Sequence, residues 1–225
     1  MQAKLALLNA NNDLNAFTSH PTIPINVEGC HRRDNQLGYS FDSFWIQKRT
    51  ITANRLIQIF KTRNLKCLVV IGLIGGNQIP SPVNPIWESF PIVVTGVHTR
   101  NPALSFACVD NHNLTLMAVE RLIESGYKRP ALGLDDSINL LVKRRFSASL
   151  KTSQLGLEDQ NRSPAFLKYK QAKVDHRIFK SWILDSKPDV VLTLYNSASS
   201  WIQGGVWQVL GNIVFAQLER RPESL

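Results

Sequence analysis

The sequence predicts an α/β fold of parallel sheets with helices on both faces, built as two successive units. Three observations carry that expectation. The apolar runs CLVVIGL (67–73), IVVTGV (92–97) and DVVLTLY (189–195) are continuous rather than alternating, as in strands covered on both faces. Amphipathic segments of helical spacing lie between such runs. Parallel neighbours also require a crossover of this kind, because a tight hairpin returns the chain antiparallel.

Each element follows from its own residues. AKLALLNA (3–10) reads as a first strand ending in a polar run. INVEGCHRRDNQLGY (25–39) reads as a helix stopped at Gly38. YSFDSFWI (39–46) alternates aromatic and polar residues, a second strand. TITANRLIQIFKTRNLK (50–66) is an amphipathic helix with Thr50 or Thr52 as N-cap and a stripe of Ile51, Leu56, Ile57, Ile59 and Phe60. The Gly- and Pro-rich 74–91 is a loop with a short helix at NPIWES. VDNHNLTLMAVERLIESGYKRPALGL (109–134) reads as a capped helix, a turn and a strand. Its expected buried stripe is Leu114, Met117, Ala118, Leu122 and Ile123.

A second unit is expected from about residue 136, giving subdomains 1–135 and 136–225. It starts with one helix over INLLVKRRFSASLKTSQLGL (138–157). AFLKYK (165–170) follows as a strand, DHRIFKSWILDSK (175–187) as a helix and DVVLTLY as a strand. NSASSWIQ (196–203) opens a further helix, and NIVFAQLE (212–219) is the last strand. With about three strands, this unit is expected to be truncated.

Composition narrows the function. No apolar run reaches the roughly 18 residues of a membrane span, and no signal-peptide cleavage site follows the start, so a cytoplasmic protein is expected. Cys30, Cys67 and Cys108 lack CxxC spacing and are expected to be free thiols. Net charge is +9, but the Lys and Arg residues are scattered, as on a solvated basic surface. GxGxxG, GK[ST], HExxH and GxSxG are all missing, so neither a cofactor, a metal nor catalysis is expected. An enzyme using His112 with Asp110 stays as a minority alternative.

Ligands of open α/β sheets bind beyond the carboxyl ends of the strands. Those ends are polar here: Asn9, Asn11, Asn12 and Asp13 after the first strand, Asp110 to Asn113 after FACV, Asn196 after DVVLTLY, and Glu219 after the last strand. Asn and Asp offer donors and acceptors suited to a neutral polyhydroxyl ligand. They also cap helices, so both readings stand. Trp87, in the loop, is core or a sugar-stacking ring.

Three stretches resemble the effector-binding core of the LacI/GalR family of transcriptional regulators: residues 109–134, RLIQIFKTRNLKCLVVIG (55–72) and PDVVLTLYNSASSWIQ (188–203). The resemblance implies a periplasmic-binding-protein-like fold (type I) of two Rossmann-like subdomains. It further implies a small effector, with a sugar favoured, held in the cleft between them, and a homodimer. Carried over, the effector contacts are Asp110, Asn113, an Arg that is Arg144 or (preferred) Arg145, Asn196 and Glu219; Asn9 and Asn11 join them as candidates from the polar run after the first strand. DNA would be reached only through a helix-turn-helix headpiece, and the chain starts at the first core strand. Ala148 or Ser149 stands where the family has Gly, and Val209-Leu210-Gly211-Asn212 where it has Val-Pro-x-Asp. A free-standing solute-binding protein and a truncated, non-binding remnant are the alternatives.

Overall fold

The computed structural model describes residues 3–20, 22–48, 51–73, 77–79, 81–96, 99, 104–195, 197–201 and 213–219. The chain divides into two units, Met1–Val109 and Asp110–Leu225.

The first unit runs β1 (Ala3–Asn9), α1 (Ala16–Ser19), α2 (Ile23–Leu37), β2 (Tyr39–Trp45), α3 (Ala53–Thr62), β3 (Leu65–Ile71), α4 (Pro85–Ser89), β4 (Ile92–Thr95) and β5 (Ser105–Ala107). Its sheet has the order β2-β1-β3-β4-β5 and every pairing is parallel. Leu7 lies opposite both Ser43 and Val69, so β1 sits between the strand that follows it and the one after that. Side chains of β1 alternate between two cores. Ala6 and Leu8 pack with Leu56, Phe60 and Ile86 from α3 and α4. Leu7 packs with Ala16 and Ile23 from α1 and α2 on the other face. Helix ends follow local chemistry: the Thr52 side chain accepts from Arg55 N at 3.3 Å, and α2 stops at Gly38 in the left-handed conformation, φ 73°.

The second unit runs α5 (Asn111–Glu124), β6 (Pro130–Gly133), α6 (Asp136–Leu141), α7 (Arg145–Ser153), α8 (Tyr169–Val174), α9 (Arg177–Ser186), β7 (Val190–Thr193), α10 (Ser197–Ser200) and β8 (Val214–Gln217). Three parallel strands are described, in the order β6-β7-β8. Phe166 forms a parallel bridge to Gly133, which places residues 166–168 on the free edge of β6. The order 166–168, β6, β7, β8 therefore repeats the winding of the first unit. Leu132, Leu134 and Leu192 pack under Val119 of α5 and Phe146 and Leu150 of α7, while Val191 packs on Phe179 and Ile183 of α9.

Four expectations change. The unit boundary falls after Val109 rather than at 135, because α5 and β6 contribute Val119, Leu132 and Leu134 to the second core. The single helix over 138–157 is two helices, broken where Lys143 and Arg144 take φ 55° and 59°. AFLKYK makes only isolated bridges before α8 begins. In α5 the fully buried positions are Thr115 and Val119, and Met117 is 59% exposed. The Thr115 hydroxyl donates to the Asn111 carbonyl at 2.8 Å, so a polar residue sits in the stripe at no unsatisfied cost.

Val119→Ala is expected to destabilise the second unit by about 2 kcal/mol through two lost methyl groups and the void they leave. Met117→Ala should stay within about 0.5 kcal/mol of the parent. Urea denaturation of both variants checks the orientation of α5.

Candidate functional site

In a sheet ordered 2-1-3-4-5, the crossovers from β1 and β3 leave in opposite directions and a crevice opens at their carboxyl ends. The first unit has a cavity of ≈ 120 Å³ at that point. It is lined by Asn11 after β1, Ile71, Gly72 and Leu73 at the end of β3, Thr95 and Gly96 at the end of β4, and His20, Thr22, Ile23 and Asn26 around the start of α2. Complete small-molecule pockets measure roughly 300–1,000 Å³, so this cavity is smaller than a complete one.

Two glycines shape it. Gly72 has φ +80°, and a Cβ there would lie 2.9 Å from Ile23 Cδ1 and 3.3 Å from Asn11 Cβ. Gly96 has φ +89°, with Asn26 Nδ2 3.2 Å from where its Cβ would be. Among the described residues the lining carries no Asp, Glu, Lys or Arg. Its polar groups are amides, hydroxyls and one imidazole. Nδ1 of His20 accepts from Thr22 N at 3.3 Å, which leaves Nε2 as the ring's donor in the neutral tautomer.

The loop after β1 holds itself in place. Asn9 is 3% exposed; its Nδ2 donates to the carbonyls of Asp13 and Leu14 at 3.0 and 3.1 Å, and its Oδ1 accepts from Asn11 N at 2.9 Å. Asn9 thus organises the loop, while Asn11 faces the cavity. Trp45 Nε1 donates to the Asn11 carbonyl at 2.8 Å and fixes it from the β2 side. The backbone N–H of Asn15 and the Ser19 hydroxyl hold the Asp13 carboxyl below its ordinary range.

In the second unit, α5 leads into β6 and α7 leads away from it, so both helices begin at the carboxyl end of that sheet. Asp110 caps α5, accepting from His112 N at 3.1 Å and Asn113 N at 3.3 Å. Its Oδ1 also faces Arg145 Nη1 at 3.6 Å. The structure therefore brings together Asp110 and Arg145, two of the residues expected from sequence, while Asn113 meets Asp110 through its backbone N–H. Arg144 turns to Asp136 instead, at 3.8 Å. Glu219 is half-buried just beyond β8. Asn196 and the 209–212 turn lie outside the described residues. Ser149 is fully buried and donates to the His112 carbonyl at 2.6 Å, tying α7 to α5.

Asp135, 7% exposed at the end of β6, accepts from Ser137 N and Lys170 N at 3.1 and 2.9 Å. Burial pushes its carboxyl up, but hydrogen bonds from Ser137 and Lys170 outweigh that and hold it below the ordinary value. Lys170 Nζ lies 2.7 Å from Ser137 Oγ and 3.3 Å from Asp135 Oδ1. The Ser137 hydroxyl and the Lys170 ammonium thus both lie on the Asp135 carboxylate that caps α6. Trp87 packs against the first core. The three cysteines are half-buried thiols, and burial raises those of Cys30 and Cys67. No cluster of three or more His, Cys, Asp or Glu fit to hold a metal, and no helix able to cross a membrane, occurs among the described residues.

No protein-family model matches the chain, and no curated protein matches its sequence. Solved structures do match. A sugar-binding transcriptional regulator of the LacI family from Escherichia coli, complexed with phosphate, has a TM-score of 0.56 at 12% identity, over 95% of this chain and 77% of that one. The fold is that of the LacI-family regulators. The transcriptional regulator CelR in complex with cellobiose gives 0.60 at 16% identity, over 94% and 66%. The Cra dual regulator of Pseudomonas putida with fructose 1-phosphate gives 0.55 at 14%, over 92% and 76%. These likenesses confirm the fold expected from the three sequence stretches.

Sequence reading missed His20, Thr22, Asn26, Thr95 and Gly96. The cue for Gly72 was present in IGLIGG, a glycine directly after a buried strand, but no phosphate-loop spacing accompanies it.

Gly72→Ala is expected to cost about 1–2 kcal/mol for a left-handed alanine, and to narrow the cavity. Thermal denaturation reads the first effect. Asp135→Ala should cost about 2 kcal/mol at pH 7 by removing a cap and the Lys170 N–H acceptor. Because the folded carboxyl titrates below its unfolded value near about 3.9, the stabilisation is present above that pH and is lost as pH falls through the folded value. The gap between parent and variant should narrow as pH falls below about 4 in a pH series of urea midpoints.

Proposed function

We propose that this chain is the effector-sensing core of a LacI-type transcriptional regulator and that it binds a small neutral polyhydroxyl compound, a sugar. One observation carries the reading: at the carboxyl ends of β1, β3 and β4 the described cavity lining offers amides and hydroxyls and no Asp, Glu, Lys or Arg. Amide and hydroxyl groups of this kind pair with sugar hydroxyls without a charge to desolvate. The similar regulator CelR was solved with cellobiose, and Cra of Pseudomonas putida with fructose 1-phosphate. Asn11, Asp110, Asn113 and Arg145 are the proposed contacts, joined by Asn196 and Glu219 from the sequence, and Asn9 acts by shaping the loop of Asn11. Binding shifts the balance between two conformations and so alters the DNA affinity of a homodimeric regulator in the cytoplasm. Catalysis is no part of this reading: Ser137 and Lys170 are engaged with the Asp135 cap, and His112 serves α5 through its backbone.

A thermal-shift panel of mono- and disaccharides, with nucleobases as the second class, tests the proposal. At about 100 times its dissociation constant a true effector stabilises the protein by about 2.7 kcal/mol. That shift should vanish in Gly72→Ala. A panel in which no sugar raises the melting temperature refutes the sugar reading.

A further inference from the structure

The helix break at 142–144 has no glycine or proline to cause it. Lys143 and Arg144 are consecutive non-glycine residues at φ 55° and 59°, a region that side chains with a Cβ rarely occupy. Something must hold them there. The nearby Asp136 does not: its Oδ1 has no hydrogen-bond partner and lies 3.8 Å from Arg144 Nη1, in a half-exposed pair of the kind that contributes little.

Asn139 does. It is 0% exposed, and it grips the turn on both sides. Its carbonyl accepts from Arg144 N at 2.6 Å. Its side-chain Oδ1 accepts from Ser147 N at 3.3 Å, and its Nδ2 donates to Ser147 Oγ at 3.0 Å. Ser147 is the third residue of α7, where the N–H has no partner within the helix. Arg144, at the N-cap position, makes no side-chain cap bond. Asn139 therefore supplies the cap from eight residues upstream. Arg145 lies between the two anchors, and its guanidinium reaches Asp110 Oδ1 at 3.6 Å.

We propose that Asn139 is a positioning residue: by clamping the left-handed turn at Lys143–Arg144 and capping α7, it aims Arg145 at Asp110. The value of this for sensing rests on the reading of Arg145 and Asp110 as effector contacts. The clamp itself does not, so the test is made without effector.

Nuclear magnetic resonance of the full chain reads it directly. In the parent, Asp110→Asn should move the Arg145 Nε–H resonance, because the two side chains face each other. In Asn139→Ala, the Ser147 amide should exchange about tenfold faster, and the Arg145 resonance should no longer respond to Asp110→Asn. Adding Lys143→Gly and Arg144→Gly should restore the response, since glycine holds the left-handed conformation unaided. Asn139→Ser, polar but too short to reach Ser147, replaces Asn139→Ala should that variant not fold. An undiminished response in the Asn139 variant, or a glycine pair that fails to restore it, overturns the proposal. A sugar panel without binding would overturn the effector reading and leave the clamp standing.

Discussion

The structure depends on β1 pairing in parallel with both β2 and β3. A strand flanked by the strand that follows it and by the one after that forces the two crossovers to opposite faces. The consequences are geometric. Leu7 meets one set of helices and Ala6 and Leu8 the other, so the run LALLN must be apolar on both faces. Where the crossovers part, backbone cannot fill the space, and a crevice results. Gly72 keeps that crevice open by leaving the space beside Ile23 and Asn11 unfilled.

The second unit repeats the winding and adds a different problem. Its α5 and α7 begin at the same end of the sheet, and both need caps. Asp110 caps α5 with its own side chain. Helix α7 starts on an arginine, which cannot accept a hydrogen bond, and Asn139 serves in its place. Capping and ligand recognition are therefore not rival readings of Asp110. One carboxylate oxygen accepts two backbone N–H groups and still faces Arg145.

The fold was legible because parallel sheets write it in continuous apolar runs separated by helical periods. CLVVIGL, IVVTGV and DVVLTLY each proved to hold a strand of the expected sheet. The misread elements had no local mark. The break in 138–157 lies in a stretch of good helix formers and is imposed by a buried amide from the preceding helix, a tertiary cause. The boundary at Val109 is likewise set by which core Val119 and Leu132 join. In the site, Asn11 was legible as a polar residue after a strand, and Asp110 with Arg145 through the resemblance. His20, Thr22 and Asn26 were not, since they reach the cavity only because α2 starts beside it.

The central claim is that the crevice at the ends of β1, β3 and β4 receives the effector. The most direct measurement is a titration of the isotopically labelled protein with ribose, fructose, glucose and cellobiose, following backbone amides. The account predicts saturable shifts for at least one sugar, largest at Asn11, Gly72 and Gly96. Saturable shifts confined to residues away from that crevice, or none with any of the four sugars, would contradict it.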